Sequence, residues 1–461
     1  MNKLKVSLIL LALIFALSGC GGHNVVNPEN TPKGNSWAKE YSGVALFNSV
    51  QEMPDKGYIL VGDTDSWDGS VISNILVLKV NSNGNKEWAK AFGWNNSYNG
   101  SPIVQSTNDG GYFVAGVTGS YVKGSGRFII IKFNSKNEEE WAKAFGLGDK
   151  TIISFPCDFA VQQVSDGGFV VMMPCADGHF VLKLDSKGNK EWLKVFVNKT
   201  AFFRSAKQTE DGGYIIAGGI QGPPIGLLIK LKGNGRIEWA KKYKVSKWGN
   251  EFDDVEPTKD GGFIVVASGI VINIESKSAY SLILKLDKNG NEEWKKMLGS
   301  RVVSVKQTND GGYIAIGWKT IGNGDNDFII KLDSKGNTEW GKLIERENSF
   351  RVIKQTTDGG YIAVGMNTVF KFDSRGDVKD LLCSKSYIPE MATSPPEIKV
   401  TDITKYIKTE PEPSFRSKLV KPLFKIADVK TTPVNCSDRI NTGTSFEKVF
   451  VGIIEKSLKI L

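Results

Sequence analysis

KQTNDGGYIAIG, residues 306–317, is the stretch from which the fold can be read. A polar run breaks on Asp310-Gly311-Gly312 and turns apolar at once. Nearly the same string stands at 207–218 (KQTEDGGYIIAG) and at 354–365 (KQTTDGGYIAVG). Its Asp-Gly-Gly core, followed by Tyr or Phe, recurs at Asp109, Asp166, Asp211, Asp260, Asp310 and Asp358. A degenerate copy reads Asp55-Lys56-Gly57-Tyr58, which makes seven copies, 45 to 57 residues apart. A β-type pattern with a period near 50 signals a propeller or a solenoid. Asp-Gly predicts a tight two-residue hairpin, because Gly supplies positive φ without strain.

A second element alternates with the first. It reads LKLDSKGNKEW at 182–192 and IKLDSKGNTEW at 330–340, and its three-residue loop ends on Gly. That fits a type I turn closed by a left-handed Gly bulge. Two hairpins per period make four antiparallel strands, which is one propeller blade. If Asp185 pairs with Asn189, Lys183 faces Glu191 across the hairpin. The same register faces Lys79 with Glu87, Lys132 with Glu140, Lys230 with Glu238, Lys285 with Glu293, and Lys331 with Glu339. A ring of lysines could bind anions, but a Glu at each position favours structural pairs, worth roughly 0.2–1 kcal/mol each.

The seventh copy, FKFDSRGDVKD at 370–380, has Lys379 in place of the Glu and Asp380 in place of the Trp. Conversely, Trp37 stands in a matching context (SWAKEYSG) with no blade before it. Residues 36–42 are therefore expected to complete the blade of Val352 to Asp373. The fold class is all-β, a seven-bladed β-propeller over 36–383 closed by an N-terminal strand.

The LD-x-x-G-x-x-x-W element is similar to the tryptophan-docking motif of PQQ-like propellers. The DGGY element resembles repeats of secreted bacterial propeller proteins. The resemblance implies that Trp37, Trp88, Trp141, Trp192, Trp239, Trp294 and Trp340 dock against neighbouring blades. It carries fold and not activity, because nothing marks a cofactor pocket, a calcium site or an acidic base.

Residues 1–20 read MNKLKVSLILLALIFALSGC, with Lys3 and Lys5 ahead of a 12-residue apolar run. That run is too short to span a membrane and suits a signal peptide. Leu17-Ser18-Gly19-Cys20 resembles the lipobox of bacterial lipoproteins. The resemblance implies a signal peptide over 1–19, lipidation (palmitate included) of Cys20, and an anchor on the extracytoplasmic face of a membrane in the cell envelope. Residues 20–35 read as a flexible tether.

Cys157 and Cys175 flank the third DGG hairpin, whose turn brings them within one residue of facing each other; a disulfide is expected there. Cys383 and Cys436 could form a second, which an envelope location permits. The 384–461 tail holds seven of the 16 Pro and no Trp. It is expected to be largely irregular, since segments such as KTEPEPSF suit neither helix nor strand. Phe450, Ile453, Ile454, Leu458 and Leu461 fall at helical spacing near the end.

The net charge of +9 is spread evenly, so no nucleic-acid partner is expected. Only His23 and His179 are present, which weighs against a His-built metal site or base. No G-x-S-x-G, H-E-x-x-H or phosphate loop occurs. Asp63-Thr64-Asp65-Ser66-Trp67-Asp68-Gly69 and Gly324-Asp325-Asn326-Asp327 resemble calcium loops but lack the right spacing and read as polar turns. No catalytic residue, metal or cofactor is assigned. Trp94, Trp248 and Trp318 lie outside the repeat motif and form a candidate binding rim for a protein or glycan. Two functions remain open: a monomeric, non-enzymatic binding platform, or a glycan-active or quinoprotein-like enzyme with its site in the central channel. Convergent carboxylates or a cation site in the channel would favour the enzyme. A channel of small and apolar groups would favour the platform.

Overall fold

The computed structural model describes residues 35–379 except 65–73, 94–97, 120–125, 147–158, 176–177, 198–199, 221–224, 245–250, 272–278, 322–323 and 345–349. It also describes 384–386, 399–402, 409–410, 416–419, 423–426 and 431–433. Cys20, Cys157, Cys383, Cys436, Trp67, Trp94, Trp248 and the terminal helical pattern lie outside the described residues, as does the side chain of Cys175.

The described residues form strands and turns, with no helix among them. Six blades follow one another in sequence, each a four-stranded antiparallel meander. Their first strands are Val44–Glu52, Tyr98–Ser106, Ala160–Gln163, Ala201–Gln208, Glu251–Pro257 and Arg301–Gln307. The seventh blade begins with Val352–Gln355, and its fourth strand is Trp37–Tyr41, with Trp37 opposite Lys371 and Glu40 opposite Thr368. Every first strand touches the first strand of the next blade, and the seventh touches the first. The first strands are therefore the inner ring, the Trp-bearing strands are the rim, and the N-terminal segment closes the circle.

The core is seven apolar slabs, each shared by two adjacent blades. Side chains alternate along a strand, so Tyr58 and Leu60 enter the slab with blade 7 while Ile59 and Val61 enter the slab with blade 2. Sheets buried on both faces need continuous apolar runs. Ile75–Val80 (ILVLKV) is such a run, buried at all six positions including Lys79.

The DGG turn differs from the two-residue hairpin expected. Thr308 N–H donates to Gly312 O (2.9 Å), Gly311 N–H donates to Thr308 O (3.0 Å), and Gly311 has φ +84°. The loop is thus three residues, Asn309 to Gly311, of the same kind as the second hairpin. Met53 and Val164 open the same three-residue loop in blades 1 and 3, so its length does not depend on the Thr; where Thr308 stands, its hydroxyl adds a bond to Asp310 Oδ1 (2.5 Å).

The Lys–Glu register also differs. Lys331 stands opposite Trp340, and a bulge before Leu332 leaves Glu339 as the extra residue. The ion pair forms across the bulge all the same, at 3.2 Å. The lysine meets a second carboxylate as well, Asp310 of the DGG turn, at 3.0 Å. All of the first six blades repeat this clamp, with Lys79, Lys132, Lys183, Lys230 and Lys285 each held between a turn Asp and a bulge Glu. The second Gly of DGG makes room for it: a Cβ on Gly312 would lie 2.4 Å from Lys331 Nζ and 2.3 Å from Leu332 O.

The tail is the largest departure from the sequence reading. Ser384–Ser386 pairs with the rim strand of blade 6, Thr338–Ile344. Lys399–Asp402 then pairs with blade 4, Thr409–Glu410 with blade 3, Arg416–Leu419 with blade 2, and Leu423–Ile426 with blade 1. Thr431–Pro433 pairs with Trp37–Tyr41 of blade 7. The chain therefore runs back around the disc against the blade order and adds a fifth antiparallel strand to six sheets. Each rim edge supplies a preformed ladder, so stretches of two to four extended residues suffice without a pattern of their own. Proline spacing limits such stretches and does not forbid them.

Candidate functional site

The first strands point alternate residues at the central channel. The position two before the turn Thr is occupied around the ring by Gln51, Gln105, Gln162, Lys207, Glu256, Lys306 and Lys354. Two residues of strand place this ring roughly 7 Å inside the face that carries the turns. The next residue points the other way, and in five blades, as Glu52, Gln163, Gln208, Gln307 and Gln355, it ties neighbouring blades together. Gln307 Oε1 accepts from Lys259 N–H, and Gln355 Oε1 from Asn309 N–H, both at 2.8 Å. Glu52 Oε2 accepts from Thr357 N–H at 2.8 Å and carries the tie across the closure.

Lys306 lies 3.0 Å from Asp254 Oδ2 and 2.7 Å from Glu256 Oε2. Asp254 also accepts from the hydroxyls of Ser205 (3.0 Å) and Ser304 (3.5 Å). Burial pushes the Asp254 carboxyl up, but Lys306, Lys207 and these hydrogen bonds outweigh it and hold it low. Burial pulls Lys306 down, and its two carboxylates raise it above the ordinary lysine range. This trio is a charged, satisfied strut between blades 5 and 6.

Lys207 and Lys354 are different. Burial lowers both; Lys306 lowers Lys207 further against the pull of Glu256 and Asp254, and Lys207 and Lys306 lower Lys354 further against the pull of Glu256, to about 7. Lys354 Nζ donates to the neutral Gln51 Oε1 at 2.8 Å, and no carboxylate lies within ion-pair distance of either ammonium among the described residues. On the arc between these two lysines, Gln105 Oε1 accepts from Gln163 N–H (3.1 Å) and Gln162 Oε1 from Gln208 N–H (2.9 Å). The channel thus matches neither expectation: its carboxylates converge on a lysine, and its lining is polar and basic.

Other residues singled out from the sequence fall as follows. The Trp rings reach the next blade: Trp37 meets Tyr58, Trp141 meets Phe169, Trp192 meets Tyr214, Trp239 meets Phe263, Trp294 meets Tyr313 and Trp340 meets Tyr361, edge to face at 5.6–6.1 Å. Trp88 is half-buried against the slab between blades 1 and 2. Trp318 is half-buried with the Arg301 guanidinium 4.8 Å above its ring. Of the predicted rim only Trp318 is described, since Trp94 and Trp248 lie outside the described residues. Asp63 accepts from Asn48 (3.0 Å) and Ser101 N–H (3.1 Å), and burial lifts it to about 6. Asp325 accepts from the Thr320 hydroxyl at 2.6 Å, and Asp327 is buried in its strand. No group of three or more metal-ligating side chains occurs among the described residues. His179 is buried, falls to about 4 for that reason, and takes Phe203 N–H on Nε2 (3.2 Å).

No protein-family model matches the chain, and no curated protein matches it. Solved structures do. Sqt1 from Chaetomium thermophilum shares 9% identity at a TM-score of 0.45, over 74% of this chain and 100% of that one. A member of the duf4221 family from Bacteroides vulgatus shares 8% at 0.35, over 77% and 97%. A GH43 endo-arabinanase from Bacillus licheniformis shares 13% at 0.30, over 63% and 95%. Likenesses this distant say nothing about chemistry.

Proposed function

We propose that this chain is a lipid-anchored, non-enzymatic binding platform of the bacterial cell envelope, held to a membrane through Cys20. One observation carries the non-enzymatic part. Asp254 and Glu256, the carboxylates that converge in the channel, are both held by Lys306 at 3.0 and 2.7 Å. General acid–base work needs a carboxyl able to exchange its proton with substrate. A carboxylate locked by an ammonium and two hydroxyls serves as a counter-ion instead. The tail strands support the platform part, because a ring closed by Trp37–Tyr41 and paired along six rims by the 384–433 segment is a firm mount for variable loops.

The test has two arms. In cells fed a clickable palmitate analogue, the full-length protein should become labelled and fractionate with membranes, and Cys20→Ala should lose both properties. Unlabelled wild type would overturn the anchor. Purified protein is then assayed on glycan and alcohol substrates beside Glu256→Gln. No turnover by wild type is expected; turnover abolished by Glu256→Gln would establish the enzyme reading instead.

A further inference from the structure

We infer that the ring of Lys207, Lys354, Gln105 and Gln162 inside the channel is a binding site for a small, multiply charged oxyanion, of phosphate or polycarboxylate type. The inference does not depend on the membrane anchor or on the platform reading.

The geometry begins with register. These residues occupy the same position on four of the seven first strands, so they share one level of the channel. At that level Glu256 is the one carboxylate, and Lys306 holds it. Lys207 and Lys354 have no carboxylate at ion-pair distance among the described residues; Glu256 attracts both, and Asp254 attracts Lys207, only from farther off. They stand close enough to Lys306 and to each other for mutual repulsion to add to the burial that lowers them. Neighbouring ammonium groups that are half-buried repel one another at a cost, and an anion of two or more charges between them lowers that cost. Lysine is a point-charge ligand suited to phosphate and carboxylate groups.

The glutamines complete the donor set. The carboxamide oxygens of Gln105 and Gln162 are taken by backbone N–H groups of the neighbouring blade. That fixes which end of each amide is committed, and their NH2 groups donate to no described residue. Around the ring Gln105 and Gln162, on blades 2 and 3, lie on the arc that runs from Lys354 on blade 7 to Lys207 on blade 4, so that arc offers two cations and two amide donors to an oxyanion with several acceptor oxygens. A divalent cation would meet ammonium groups and amide N–H, which it repels.

Proton linkage gives the site a signature. The titratable groups facing Lys354 are Lys207, Lys306 and Glu256, with the neutral Gln51 beside it. With its ordinary value lowered to about 7, Lys354 is partly deprotonated at pH 7.5, and an arriving anion draws a proton onto it.

The experiment titrates the intact mature protein with inorganic phosphate and, separately, citrate, in two buffers of different ionisation enthalpy at pH 7.5, with chloride as control. Saturable binding with a Kd below about 1 mM is expected for at least one of them, with proton uptake and with competition between them if both bind. Lys207→Met and Lys354→Met should each weaken it about tenfold or more, and Lys354→Met should abolish the proton uptake while unfolding remains cooperative. Phosphate alone binding assigns a phosphate ligand; citrate alone assigns a polycarboxylate. No saturable binding of either, or unchanged affinity in both variants, overturns the site.

Discussion

Gly84 lies under the ring of Trp37, so close that a Cβ on it would sit 2.7 Å from the indole. The contact spans the ring closure, from the rim strand of blade 7 to the outer hairpin of blade 1. Equivalent glycines meet Trp141, Trp192, Trp294 and Trp340, all with φ between +71° and +77°. The Gly therefore answers two demands, a left-handed turn and a seat for an indole. Blade 6 separates them. Gly336 has φ +77° and would meet Trp294 at 2.7 Å, while Gly311 has φ +84° and open space around it. Gly311→Ala should cost about 1 kcal/mol, for backbone strain alone. Gly336→Ala should cost about 2–4 kcal/mol, because overpacking is added. Equal losses in denaturant titrations would show that tryptophan docking contributes nothing.

Two copies of the turns lack the glycine. Lys56 has φ +64° and Asn137 has φ +65°. Lys56→Gly should stabilise the protein by about 0.5–1 kcal/mol, since the exposed bond from Lys56 to Thr357 is worth little against the strain. Asn137→Gly should gain less, because asparagine tolerates this conformation. Thermal denaturation of the two variants checks the order; a loss with Lys56→Gly would contradict it.

The buried lysines predict a pH dependence. Burial pushes the turn carboxyls up, but their lysine, Thr hydroxyl and Gly N–H outweigh it and bring Asp109, Asp211, Asp260 and Asp310 to about 2. A carboxyl held lower in the folded state than in the unfolded chain stabilises fully above about pH 4. That stability is lost as pH falls through about 2. The carboxylates are more than half exposed, so each contributes under about 1 kcal/mol after solvent screening. Blade 7 lacks the second carboxylate: Lys371, 1% exposed, has Asp358 at 2.8 Å and no Glu. Asp358→Asn should therefore cost about 3 kcal/mol, having left a buried ammonium unpaired. Asp310→Asn should cost about 1 kcal/mol, since Glu339 still holds Lys331. Urea titrations at pH 7 and pH 3 read both effects, and equal losses in the two variants would refute the shared clamp.

Blade number and closure by Trp37–Tyr41 were legible in the sequence because both rest on a local period that repeats seven times, with one copy split between the two ends of the ring. The channel site was missed for a related reason. Lys207, Lys306 and Lys354 open the three KQT strings, and alternation along the strand already aims them at the axis. Read singly, each is an ordinary charged residue before a turn; only the ring brings them to one level. The turn Asp read as a turn residue alone because its lysine comes from another strand, some 13–25 residues on. The tail was illegible because its strands carry no alternation. What selects them is the unpaired edge of a rim strand, a property of the assembled disc.

That edge also defines what the tail does. An exposed strand edge is a template for pairing with another chain. A chain ending at residue 383 would bare the rims of blades 1, 2, 3, 4, 6 and 7 while leaving the seven slabs intact. It should fold, self-associate, and elute in light-scattering chromatography as larger species than the full chain does. Blade 5 supplies an internal control, since no described tail residue pairs with its rim strand, Glu292–Leu298. Hydrogen exchange should speed up in the other six rim strands on truncation and change little in this one. Equal acceleration in all seven would mean that the tail stabilises the disc globally, and no acceleration would mean that the belt is not seated in solution.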